Sequence, residues 1–153
     1  MKPHIDNLRA TRRKFMHFIE EFSLIELNKI PEGFSNNMLW NIAHVVVTQQ
    51  LLIYKNCGLN GYLEQTFIDK FRKGTKPEGA YTTQDLQTTR ENLLLLVTNF
   101  ENDIENQIFK SYTNYETSFG ITLNTIDDAI VFNNMHETLH LGYIMAMRRA
   151  MSH

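Results

Sequence analysis

Residues 136–142 read His136-Glu137-Thr138-Leu139-His140-Leu141-Gly142, inside a long, largely apolar stretch running from Thr125 to about Met151. Asp127 and Asp128 stand where a helix opens and Arg148 and Arg149 where it closes, so both ends complement the helix dipole. On such a helix, residues four apart differ by only about 40° in direction, which stacks His136 and His140 on one face. Two imidazoles placed this way can grip one metal ion. They also leave most of its coordination shell empty, so a further ligand has to come from elsewhere in the chain.

Three other helical patterns precede this one. In the first, Ile5, Leu8, Phe15, Ile19, Phe22 and Ile25 recur at helical steps until Pro31 and Gly33 end it; Arg9, Arg12, Arg13 and Lys14 read as its solvated face. The second carries Trp40, Ala43, His44, Val47, Leu51 and Tyr54 and stops at Asn56-Cys57-Gly58, with Ser35, Asn36 or Asn37 as its cap. Val45-Val46-Val47 makes a strand the competing reading, and the length of the pattern decides for helix. The third opens at Thr82 with Asp85 in its first turn and continues through Leu86, Leu93, Val97, Phe100 and Ile104. Residues 58–81 form a crossover long enough to leave the second and third helices parallel, and Leu63, Phe67, Ile68 and Phe71 place a short helix within it. Between the third and fourth helices, Tyr112, Tyr115, Phe119, Ile121 and Leu123 around Gly120 suggest an extended segment or weak hairpin. The expectation is an all-α fold, a four-helix bundle in which residues 1–153 form one domain.

Composition narrows the function. Fifteen basic against seventeen acidic side chains give a net charge of −2, which argues against a nucleic-acid surface. The longest purely apolar run, Leu93 to Val97, is far short of a membrane span, and the N-terminus shows no signal peptide. The lone Cys57 rules out an internal disulfide and fits a reducing compartment, so a cytoplasmic protein with no membrane partner is expected.

The other histidines are His4, His17, His44 and His153. His4 and His153 sit at the termini, and His17 lies off the apolar stripe of the first helix. His44 therefore reads as the best third ligand, mid-helix on an apolar face where an imidazole needs a partner. The competing reading is a set of hydrogen-bonded core histidines with no metal. A second competitor is the zinc-peptidase signature, which His136-Glu137-x-x-His140 matches literally, with Glu137 as general base. Its extended form needs a glycine at 143 and a histidine at 146, where this chain has Tyr143 and Ala146. Its other form needs an acidic ligand downstream, and no Asp or Glu follows His140. Glu137 is rotated about 100° from His136, which puts it at the edge of the site or in a surface pair. Cys57, roughly 20 Å along the helix from His44, is too far to be an active thiol. Trp40 reads as packing or as a pocket wall, and Tyr143 as a candidate proton donor near His140.

Trp40-Asn41-Ile42-Ala43-His44 and His136-Glu137-Thr138-Leu139-His140-Leu141-Gly142 together resemble the DinB/YfiT-like superfamily, with Trp-x-x-x-His on the second helix and His-x-x-x-His-x-Gly on the fourth. The likeness extends over nearly the whole chain, including the crossover after Leu59 and the segment Tyr115-x-Thr117-x-Phe119-Gly120. The resemblance implies an up-down-down-up bundle and a three-histidine site at His44, His136 and His140 for a divalent metal ion, zinc, nickel or iron. It also implies homodimers and a small-molecule substrate. The implied activity is that of a metal-dependent transferase or isomerase using a low-molecular-weight thiol; the alternative is a non-catalytic dimeric bundle that binds metal or ligand.

Overall fold

The computed structural model describes residues 1–151. Lys2–Glu21 form α1, Leu24–Asn28 α2, Met38–Gln49 α3, Gln65–Phe71 α4, Thr83–Glu105 α5 and Ile126–Met151 α6; Tyr115–Glu116 (β1) and Thr122–Leu123 (β2) pair as a small antiparallel hairpin. The bundle consists of α1, α3, α5 and α6, and its directions can be read from paired side chains. Arg9 of α1 meets Glu101 while Glu20 approaches Arg90, so α1 and α5 run antiparallel. Asn134 donates to the His4 carbonyl and Arg148 reaches Glu21, which makes α6 parallel to α1. Arg12 touches both the Val45 and the Leu93 carbonyls, and nearer the other end the Tyr54 hydroxyl donates to Asp103, so α3 and α5 run parallel. The order is up-down-down-up, and residues 58–81 are the crossover.

The core lies between these helices. Phe15, Leu39, Ile42, Leu93 and Ile144 fill one end, and Leu8, Ile53, Val97, Phe100 and Ile130 fill the other. Helix α3 is buried from Met38 to Val47, which explains why its β-branched run tolerates a helix: every face of it packs. Asn37 caps it, its Oδ1 accepting from the Trp40 N–H at 2.8 Å. On the outer side, Phe67 and Phe71 of α4 pack on Trp40, Ala43 and Val47. After Gln49 the helix widens into a π turn at Gln50–Tyr54, tightens to a 3-10 turn at Lys55–Cys57, and ends at Gly58 in the left-handed region (φ 71°). Thr82 and Asp85 form the capping box that opens α5.

Two expectations fail on the first helix. It stops at Glu21, because Ser23 and Glu26 form a capping box of their own and start α2 in a new direction; Ile25 is consequently 85% exposed instead of continuing the apolar stripe. Arg12 does not belong to a solvated face: its side chain is wholly buried. It occupies the stripe of Leu8, Phe15 and Ile19 at helical spacing, and its charge is matched inside the core.

Candidate metal centre

Helix α3 supplies His44 and α6 supplies His136 and His140, and one ring nitrogen from each lies within 4.8 Å of the other two. The tautomers follow from the partners. His44 Nδ1 stands 2.7 Å from the Phe71 carbonyl, which can only accept, so the proton is on Nδ1 and the lone pair on Nε2. Asn41 donates through its amide nitrogen to Asn36 Oδ1 and to the Asn37 carbonyl, both at 2.8 Å. Its Oδ1 therefore faces His140 Nδ1 at 2.7 Å as an acceptor, and His140 likewise keeps its lone pair on Nε2. That nitrogen lies 3.1 Å from His136 Nε2.

The donor set is of a kind that a divalent cation takes, with the His136–His140 pair already at ligand spacing and the His44 nitrogen within 4.8 Å of both. Two imidazole nitrogens about 2.1 Å from one ion stand about 3.0–3.4 Å apart at ordinary coordination angles, and the His136–His140 spacing falls in that range. Burial favours the neutral, ligating form. It pushes the proton affinity of His136 down to about 3, helped by the charges of His140, His44 and Lys73, and that of His140 down to about 4, helped by His44. His44 is lowered as well by burial, against the opposing bond to Phe71. Among the described residues His136 Nδ1 has no hydrogen-bond partner; the ring packs against Phe132 and turns its Nε2 toward His140.

The partners of the ring Nδ1 atoms escape a search for ligand types, because one is a main-chain carbonyl from α4 and the other an amide. Asn41 did carry a signal: it is a polar residue in the first turns of a helix buried without a break from Met38 to Val47. Its replacement by alanine is expected to weaken metal affinity about 10- to 100-fold while the other two histidines remain in place, measured by competition with a chelator of known affinity.

Trp40 both packs and forms part of the site, since its indole stacks on the His44 ring at 4.5 Å and donates from Nε1 to Thr75 Oγ1 at 3.0 Å. Against the histidines opens a cavity of about 480 Å³, walled by Leu51, Leu52, Phe132 and Leu139 and closed at one side by Thr117 and Phe119 of the hairpin. His44, Thr48, Leu51, Leu52 and Lys55 recur at ordinary helical spacing, so one face running from α3 through the π and 3-10 turns lines the cavity.

Other residues singled out by the sequence lie elsewhere. Tyr143 is no proton donor to the site: its ring meets Phe34 edge-on at 5.1 Å, outside the cavity. Glu137 is neither at the rim nor on the surface. It is fully buried, with Oε2 accepting from Arg12 Nε at 2.7 Å and Oε1 from Arg12 Nη2 at 2.8 Å and from Asn133 at 2.9 Å. Committed to that pair, it cannot be the base a zinc peptidase requires. Cys57 is buried, its thiol pKa raised by desolvation. His17 is exposed near Glu21, the carbonyl of His4 accepts from Asn134, and His153 lies outside the described residues. No helix among the described residues is long and apolar enough to cross a membrane.

Comparison with curated proteins finds no match. Among solved structures, the chain is similar to a conserved protein from Enterococcus faecalis, with a TM-score of 0.67 at 14% identity over 97% of this chain and 95% of that one. At that identity the likeness speaks for the fold. The family model of the DinB superfamily matches residues 7–144, nearly the whole bundle and all three histidines, and the chain belongs to that superfamily.

Proposed function

We propose that His44, His136 and His140 hold a divalent ion, zinc, nickel or iron, and that the chain is a metal-dependent enzyme acting on a small molecule in the adjoining cavity. Thiol-dependent S-transfer or isomerisation is the chemistry proposed. The observation that carries this reading is the convergence of three neutral imidazoles, two of them with tautomers set by their neighbours, beside a cavity large enough for a substrate. Three protein ligands leave coordination positions open, as catalytic sites do and four-ligand structural zinc sites do not. When bound, the ion supplies positive charge that favours ionisation of a thiol held beside it. The chain's own residues do the rest. Phe71 and Asn41 keep two imidazoles aimed, Trp40 and Phe132 hold rings by stacking, and the apolar wall excludes water around the reactants. Since Cys57 is buried and does not line the cavity, the thiol belongs to a substrate.

The test is turnover of a panel of low-molecular-weight thiols with a generic electrophile by metal-loaded protein. Rates should fall to the uncatalysed background in His140→Ala. Equal rates in the wild type and that variant would sink the enzyme reading and leave a non-catalytic bundle. The homodimer and the cytoplasmic location belong to the same proposal. The former is supported by the exposed apolar side chains Val131, Met135, Leu139 and Met145 along α6, the latter by a single unpaired cysteine.

A further inference from the structure

The cavity beside the histidines has an uneven charge. Its wall is mostly apolar, yet among the described residues Lys55 and Lys73 both line it and no Asp or Glu does. In a chain with seventeen acidic and fifteen basic residues, that imbalance is not a reflection of overall composition. Neither lysine has a carboxylate partner among the described residues. Their neighbours do: Lys70 pairs with Asp85 at 2.7 Å, and Arg72 with Asp69 at 3.4 Å. The two ammonium groups arrive from different elements, Lys55 from the 3-10 turn after α3 and Lys73 from the chain just beyond α4, and both come to one opening. Lys73 and His136 line the same cavity, so the ammonium group shares that chamber with the histidines. Any cation held by the histidines adds to the same sign. Low-dielectric walls focus such a field, so the chamber attracts negative charge and repels positive.

We infer that Lys55 and Lys73 are specificity residues that bind the anionic end of a small organic substrate whose apolar body lies along Leu51, Leu52, Phe132 and Leu139. The assignment rests on the reading of this cavity as the chamber where the metal-dependent reaction occurs. It adds what that reading lacks, the charge and shape of the molecule admitted. A neutral or cationic compound of the same shape has the same apolar contacts and no counter-charge.

Calorimetric titration with 1-octanesulfonate, 1-octanol and octylamine tests it, with Trp40, the only tryptophan and stacked on His44, as a second readout by fluorescence. The sulfonate is chosen because it is a poor metal ligand, so its binding reports on the lysines. The expected order is sulfonate tightest, alcohol weaker and amine weakest. Lys55→Gln and Lys73→Gln should each weaken the sulfonate about three- to tenfold and leave the alcohol unchanged. Lys14→Gln, an exposed lysine on α1, should change neither. The inference is overturned if the sulfonate shows no saturable binding at millimolar concentrations, if it binds no tighter than the alcohol, or if both lysine variants bind it as the wild type does. Repeating the series on chelator-treated protein, with metal content measured alongside, separates the two readings. Lysine dependence that persists in a protein found never to hold metal would remove the metal reading alone. Metal at one equivalent without lysine dependence would remove this inference alone.

Discussion

Replacing Glu137 with leucine is expected to lower the unfolding free energy by about 3–5 kcal/mol, a large part of the roughly 5–15 kcal/mol that holds a domain of this kind together. The cause is what the substitution leaves behind. Arg12 is fully buried, and Glu137 provides both of its charge-balancing contacts; the Leu93 and Val45 carbonyls and Gln49 Oε1 solvate the guanidinium without neutralising it. Without the carboxylate, a cation remains in the core with no path to water. Arg12→Met should cost a similar amount for the mirror-image reason. The double variant Arg12→Met/Glu137→Leu should recover most of the loss, because an apolar pair of similar volume needs no counter-charge. Urea unfolding of the four proteins reads this directly as a coupling energy. Single variants that lose only about 0.5 kcal/mol, the scale of ordinary surface changes, would show that the pair is not isolated from water as described. The pair joins α1 to α6 one residue from His136, so its loss is also expected to loosen the histidine site.

The second large effect concerns metal. Protein purified without chelator or affinity tag should carry close to one equivalent of a divalent ion, and His44→Ala, His136→Ala and His140→Ala should each carry almost none. Since the unfolded chain has no assembled site, an ion at a hundredfold excess over its dissociation constant adds about 2.7 kcal/mol. For a chain of this length that raises the melting temperature by about 5–10 °C, and the histidine variants should show no such rise. Elemental analysis and a melting curve with and without added Zn²⁺ or Ni²⁺ check both statements. A content near zero with an unchanged melt would leave three hydrogen-bonded core histidines and nothing more.

The pH dependence of the metal-free protein follows from the same burial. Its three clustered histidines have proton affinities lowered from the usual value near 6.5, with His136 at about 3 and His140 at about 4. Below pH 6.5 the unfolded chain therefore binds protons that the folded chain refuses, so stability is fully present above that value and falls as pH drops toward 4 and 3. Alanine at position 136 or 140 should flatten that slope in chelator-treated samples.

Much of this was legible in the residues alone. Helical periodicity located the four bundle helices, Thr82 and Asp85 marked the start of α5, and two histidines four apart on one helix needed a third from elsewhere, for which His44 was the remaining buried choice. The Ser23 and Glu26 pair was equally visible, but it sat inside an apolar period that ran straight through it, and local hydrogen bonding broke the helix where the period did not.

Spacing along a helix reports direction from the axis, and by itself it determined that His136 and His140 share a face and that Glu137 does not share it. What lies opposite each face was settled only when the bundle closed. Arg12 could stay in a core stripe because Glu137, 125 residues away, came to meet it, and the His44 and His140 rings were aimed because Phe71 and Asn41 came within hydrogen-bonding reach. A buried charge or an oriented imidazole is stable only through its partner, and when that partner comes from a distant segment, only the tertiary structure supplies it.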